Sequence, residues 1–387
     1  MKKRQKVHSL TGRIDMARMR KAFKRVKRNG GASGVDRVTI RMFEANLEQN
    51  LAALMYDLKH RGHYHAQPLL RVYIPKGKGK TRALGIPTVR DRVAQEVVRS
   101  LLEPIFEPTF IEESFGFRPG RDAHQAIEAI LDAYHDGNRF VVDADIFSFF
   151  DYIPHELIID LVAERVADGN ILQILREFLT AEVVGDDNDS DSPSDRGTPQ
   201  GGVISPLLAN IVLNVLDHRV IQAGFRFVRY ADDFVVLCPS LSSAEQALTL
   251  VDQTLRSLGL SLAPDKTRVT AFQHGVAFLG FHLARRTASV RLKSVDKFKD
   301  RIRFLTIRSH NLDQDVIRDL NQVITGFAHY FATPFPTVNQ QFQLLDAWIR
   351  MRLRCMKFKR ISRGDNRRFL NKRLARMGLV SLSSFVQ

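Results

Sequence analysis

The residues best suited to chemistry are carboxylates. Asp232 and Asp233 stand together in FRFVRYADDFVVLC, Phe225 to Cys238, flanked by apolar runs of Phe, Val and Tyr. Period-2 runs on either side of a short polar break predict strand, tight turn, strand, with both acids at one edge. Adjacent carboxylates at such a turn repel and lose hydration, and a hard divalent cation such as Mg²⁺ relieves both costs. An ordinary acidic hairpin turn would read the same way, so the pair alone decides nothing. A third acid changes that: in FVVDADIFSFFDYIPHE, a buried strand from Phe140 to Ile146 sets Asp145 near its C-terminal end. One acid and two acids on neighbouring strand edges can build a two-metal site, ions roughly 3.5–4 Å apart, for in-line nucleotidyl transfer.

The elements around these acids must hold them in register. After Asp145 a helix is predicted from Pro154 to Ala167, opened by its proline and stopped by Gly169. GTPQGGVISPLLANIVLNVLD (197–217) reads as a Gly-Pro turn opening a helix, whose first N–H groups suit a phosphate or sugar. Beyond the acid pair, Ser242 to Glu245 reads as a capping box for a helix running to Gly259. Strand, helix, paired strands, helix, strand is an α+β arrangement of the ferredoxin-like kind. Upstream, a basic helix is predicted over 14–28, ended by Asn29-Gly30-Gly31, and a second over 39–60 from Thr39. RVYIPKGKGKTRALGI (71–86) reads as a β-hairpin turning on its glycines. FGFRPGR before the helix at Ala123 suggests a loop near nucleic acid, with Arg118 and Arg121 as template contacts or structural ion pairs. GDDNDSDSPSDRG (185–197) is acidic and apolar-free, an exposed loop of open role. From Lys293 the pattern is helical and basic, broken at Pro334-Phe335-Pro336.

Charge is segregated along the 387 residues. Residues 1–82 carry 21 Lys+Arg against 5 Asp+Glu, net +16; residues 83–284 carry 15 against 30, net −15; residues 285–387 carry 22 against 7, net +15. An acidic centre between two basic flanks suits a metal-holding site gripped by segments that neutralise phosphates. The sequence has no run of eighteen apolar residues, so no membrane span is expected, and MKKRQKVHSL lacks the apolar core of a signal peptide. Cys238 and Cys355 stand alone, which points away from a disulfide framework or a zinc site. A cytoplasmic protein without membrane contact is the expectation.

Eight motifs in order resemble the reverse transcriptases encoded by bacterial group II introns: GASGVD (31–36), RVYIPKGKGKTRALGIPTVRDRVAQE (71–96), SFGFRPGRDAHQAI (114–127), DIFSFFD (145–151), GTPQGGVISPLLANIVLNVLD (197–217), YADD (230–233), LAPDKT (262–267) and FLGF (278–281). The resemblance implies an α+β right-hand polymerase with fingers and a ferredoxin-like palm, followed by an α-helical thumb and maturase region. The implied domains are a basic helical N-terminal extension (1–65), fingers and palm (66–284) and a basic helical thumb/maturase-like domain (285–387). It also implies an RNA-directed DNA polymerase using two Mg²⁺ ions, with Mn²⁺ as a substitute, to add dNTPs to a DNA or RNA primer on an RNA template. Asp145, Asp232 and Asp233 would be the metal ligands with the Ile146 carbonyl, and Asp143 and Asp151 structural. Lys266 would protonate pyrophosphate, Lys76 and Arg82 would meet the triphosphate, Gln200 the sugar, and Gly201 would let the backbone approach. Phe150 would sit as a ring under that sugar. ITGFAHYF and LLDAWIRMRLR carry the maturase likeness, and no endonuclease with metal-binding His and Cys follows, so an intron product would lack its own second-strand nicking.

Phe147, Ser148 and Tyr152 depart from the family's DIKGFFD string and the residue after it, and the tail is short. Two other readings therefore stay open. One is a maturase whose main work is binding and splicing intron RNA. The other is a stand-alone reverse transcriptase of antiphage defence or CRISPR adaptation, working with a cognate non-coding RNA.

Overall fold

Short runs rich in apolar residues build the strands, some buried almost throughout and others on alternate residues. They are β1 (Leu69–Gly77), β2 (Lys80–Ile86), β3 (Phe140–Ala144), β4 (Val183–Val184), β5 (Arg226–Tyr230), β6 (Asp233–Cys238), β7 (Arg268–Ala271), β8 (Val276–Phe278), β9 (Phe281–Ala284) and β10 (Thr287–Val290). This computed structural model describes residues 6–77, 80–185, 195–199, 201–285 and 287–386, and the side chains of 76 and 80 lie outside that description. The strands form three sheets, ordered β2-β1-β4, β10-β9-β8 and β5-β6-β3-β7. In the last, two strands hairpin together and a strand from either end of the segment completes the sheet, the ferredoxin-like order. Phe227, Val228 and Phe234 to Cys238 are buried, as are Val141, Val142 and Ala144. Beyond β3 the chain keeps its course, Ile146 bridging to Leu262.

Helix boundaries follow local chemistry. Met16–Asn29 opens at Asp15, which accepts the Arg18 N–H, and closes at Gly30 with φ 66°; Met19, Ala22, Phe23 and Val26 bury its inner face. The expected single helix over 39–60 is two, Ile40–Ala45 and Leu47–Lys59. Asn46 leaves helical space at φ −123°, and the Asn50 amide donates to the Phe43 carbonyl at the break, so the interruption leaves that acceptor paired. Gly169 does not stop the preceding helix, which ends at Ala163. It opens the next, Gly169–Leu179, because Asp168 caps it through the Asn170 and Ile171 N–H groups. Ser242 is not an N-cap either: that helix, Leu241–Ser257, has already begun.

By its contacts the chain divides into two compact units: residues 1–122, 142–238 and 242–269 form one, residues 123–141, 239–241 and 270–387 the other. In the second, helices Leu292–Leu305, Gln314–Phe331 and Pro336–Phe358 pack through aromatic rings. Phe298 lies 4.2 Å from Phe327, and Phe327 lies 4.7 Å from Phe331. The β8-β9-β10 meander that precedes these helices was outside the sequence expectation, its strands being too short for a period of two to register. No helix among the described residues is long and apolar enough to cross a membrane.

Candidate active site

The acid turn is held from behind. Tyr230 pairs with Asp233 across the β5-β6 hairpin, and Ala231 between them takes a left-handed φ of 59°. Arg229, wholly buried, sends its guanidinium to the Asp217 carboxylate at 2.7 and 2.5 Å, to Asn210 Oδ1 at 2.8 Å and to the Ala231 carbonyl at 2.9 Å. Burial pushes the Asp217 carboxyl up, outweighing the guanidinium beside it. Asn210 in turn donates to the Gly116 carbonyl at 2.9 Å. The FGFRPGR segment lies along β5, with Phe115 N–H on the Arg229 carbonyl and Arg229 N–H on the Glu113 carbonyl, both 2.9 Å. Gly116 is pressed so close that a Cβ would fall on the Ala231 nitrogen and within 2.9 Å of the Tyr230 carbonyl carbon. A charged residue inside the buried strand FRFVRY was the one sequence signal for this clamp.

Asp145 leaves the end of β3 and pairs with Lys266, which its own segment brings alongside through the Ala263 N–H to Asp145 carbonyl bond of 2.8 Å. The Lys266 ammonium is held above its ordinary range by its hydrogen bond to Asp145, with Asp233 and Asp232 adding to the effect. Loss of hydration raises the Asp232 carboxyl, Asp145 raises it further, and Arg82 and Lys266 oppose. Asp233, though its side chain reaches the surface, is pushed up to about 6 by lost hydration first, then by Asp232, Asp145 and Asp143. Asp143 pairs with Arg268 at 2.8 Å, a structural contact. The three acids therefore feel one another, with Lys266 and Arg82 as opposing charges. Such a set fits hard cations with oxygen ligands. Among the described residues no three acids, histidines or cysteines are grouped to hold a metal ion as they stand, Asp145 being turned to Lys266. The Ile146 bridge uses the Asp145 carbonyl and the Phe147 N–H, bonded to Ser261, and not the Ile146 carbonyl.

The glycine-rich turn docks on the short helix after Asp145, Phe149–Tyr152. Gly197 N–H donates to the Ile153 carbonyl at 2.8 Å and Thr198 N–H to the Phe150 carbonyl at 2.7 Å. Gly201, at φ 116°, is needed because a Cβ would lie 3.0 Å from the Gly85 carbonyl oxygen of β2. Buried Gln95 accepts the Val203 N–H at 2.7 Å and fixes the other side of the turn. Phe150 is half-buried, edge-on to Phe149 at 5.4 Å. Phe147 and Tyr152, the departures from the family string, are exposed and lie 5.6 Å apart. Gln200, the Lys76 side chain and residues 186–194 of the acidic loop lie outside the described residues. Arg118 and Arg121, expected as template contacts or ion pairs, are ion pairs. Arg118 is buried on Glu107 and the Ile111 and Ser114 carbonyls, and Arg121 pairs with Glu112.

Residues 74–283 match the family model described as reverse transcriptase (RNA-dependent DNA polymerase), and residues 295–374 match the group II intron, maturase-specific domain. Protein YkfC of Escherichia coli strain K12 is 34% identical over 292 residues, 65% of this chain and 76% of YkfC. The group II intron-encoded protein LtrA of Lactococcus lactis subsp. cremoris is 37% identical over 212 residues, 54% of this chain, which spans about a third (34%) of LtrA. A telomerase structure from Candida albicans aligns with a TM-score of 0.46 at 14% identity, over 87% of this chain and 68% of that one, a likeness too remote to carry weight. With its α+β right-hand polymerase fold, the chain belongs to the reverse transcriptases, RNA-dependent DNA polymerases of the group II intron type.

Proposed function

We propose that this chain adds dNTPs to a primer on an RNA template by two-ion nucleotidyl transfer at Asp145, Asp232 and Asp233. The observation that carries the reading is geometric: Asp145, just past β3, and the Asp232–Asp233 turn of the β5-β6 hairpin lie in one sheet, near enough that Asp145 raises both carboxyls of the pair. The three carboxylates and the Ile146 carbonyl would hold Mg²⁺, or Mn²⁺ in its place, which when bound activates the primer hydroxyl and balances charge on the leaving pyrophosphate. Arg82, already within electrostatic reach of Asp232, would meet the triphosphate with Lys76. Gln200 would read the sugar, with Gly201 admitting the backbone. Phe150 would fill the space a 2′-hydroxyl needs. Lys266, kept protonated by Asp145, would swing to the leaving pyrophosphate as the acid, an aid of about 10²–10⁴-fold. The Asp232→Asn variant tests this: extension of a DNA primer on RNA should fall to background, with a thermal unfolding midpoint no lower than that of wild type, since a carboxyl raised by lost hydration and by Asp145 costs stability when charged. Near-normal extension by that folded variant overturns the site.

A second reading has its own support in residues 295–374, which match a maturase-specific domain within a segment of net charge +15 from 22 Lys+Arg and 7 Asp+Glu. Under it the chain also binds structured intron RNA. Binding of a group II intron transcript should then weaken steeply with salt and survive Asp232→Asn; loss of binding in that variant would contradict a separate RNA surface.

A further inference from the structure

One side chain in the FGFRPGR segment behaves unlike its neighbours. Phe115 is buried, Arg118 is buried and fully engaged, and Arg121 is folded back over the Phe115 ring. Phe117, between them, is 60% exposed and takes a left-handed φ of 59°. A bulky residue in that region is strained, and glycine would hold the same backbone without cost. Among the described residues no aromatic ring or cation stacks against the Phe117 ring. Folding therefore gains little from this residue and loses something to its backbone. Strain retained without a packing reward clusters at functional sites.

Its place in the fold suggests what rewards it. Gly116, the residue before it, touches the Tyr230 and Ala231 backbone, and the Asn210 and Arg229 bonds lock that contact. The ring is thereby carried on a rigid mount one residue from the turn that bears Asp232. We infer that Phe117 is a stacking platform for the terminal base pair of the primer–template duplex. An aromatic face accepts any base, which an enzyme copying arbitrary sequence requires, and such stacking needs no hydrogen-bond readout. The arginines of the segment hold the mount while the phenylalanine meets the ligand, the reverse of what their charges suggest.

This inference rests on the polymerase reading above, and the experiment separates the two. Thermal unfolding, affinity for a fluorescein-labelled DNA primer on RNA, and extension kinetics are measured for wild type, Phe117→Gly and Phe117→Trp. Extension by wild type addresses the polymerase reading alone; duplex affinity of the variants relative to wild type addresses Phe117, whether or not wild type extends. Phe117→Gly is expected to unfold at a higher temperature yet bind duplex about tenfold more weakly, with the KM for dNTP unchanged. Phe117→Trp should restore binding. Wild-type duplex affinity in Phe117→Gly overturns the inference. So does a lowered unfolding temperature in that variant, which would make the ring packing, or a defect confined to dNTP.

Discussion

Two acid–base pairs in the same unit set the contrast from which this site is best understood. Asp217 and Arg229 are both completely enclosed, and the guanidinium is also bonded to Asn210 and Ala231. Asp145 and Lys266 meet at the surface, the lysine side chain 60% exposed and the aspartate 18%. In the first pair every charge has a fixed partner, desolvation is already spent, and the product is a clamp on the turn. In the second, water and incoming ligands compete for both groups, so the contact can be exchanged. Under the proposed two-ion reading the two pairs would divide the work, Arg229 and Asp217 fixing the turn and Lys266 remaining exchangeable.

The largest expected effect comes from breaking the clamp. Arg229→Met leaves Asp217 buried and unpaired and should cost about 3–5 kcal/mol, read from urea unfolding. Lys266→Met should change stability by less than about 1 kcal/mol while slowing extension by about 10²–10⁴-fold. Equal stability losses would erase the contrast. The double variant Arg229→Met with Asp217→Leu should regain most of the lost stability but not the activity, since the Ala231 carbonyl still lacks its donor.

Next in size is a side chain between the two extremes. Phe150 is half-buried, and Phe150→Val should raise ribonucleotide over deoxyribonucleotide incorporation by roughly tenfold to a hundredfold. A parallel fall of both with stability would make the ring core filling.

The exposed side of the contrast also predicts a pH effect. Asp233 titrates near 6 in the folded chain against about 3.9 when unfolded, so the native state binds the extra proton between these values. In EDTA the fold therefore loses stability at this site as pH rises through about 6 and regains it on acidification. Comparing unfolding midpoints of wild type and Asp233→Asn at pH 5 and 7.5 checks the sign, since the variant should lack this contribution. Mg²⁺ should restore midpoints at the higher pH, where the carboxylate is free.

The smallest effect concerns Ser148, left-handed at φ 39° beside Asp145. Ser148→Gly should stabilise by up to about 1 kcal/mol with extension unchanged; a loss of stability would mean the hydroxyl matters more than the backbone.

Much of this was legible in the chain because local chemistry dictates it. Apolar alternation around Asp232 predicted the hairpin, Thr39 marked a helix start that it does cap, and Gly30 and Gly259 take the positive φ expected of stops. Order along the chain placed Asp145 and the Asp pair at strand ends, and β3, β5 and β6 do share a sheet. What sequence could not supply were partners far apart in number. Nothing in FGFRPGR tells which arginines turn inward and which ring stays out, because the outcome depends on Glu107, Glu112 and the β5 backbone meeting them in space. Arg229 finding Asp217 and Asn210, Gly201 meeting Gly85, and Lys266 meeting Asp145 across 121 positions are likewise decisions of packing. A side chain's type sets what it can bond, but burial and the groups brought beside it decide whether that bond becomes a fixed support or an exchangeable contact.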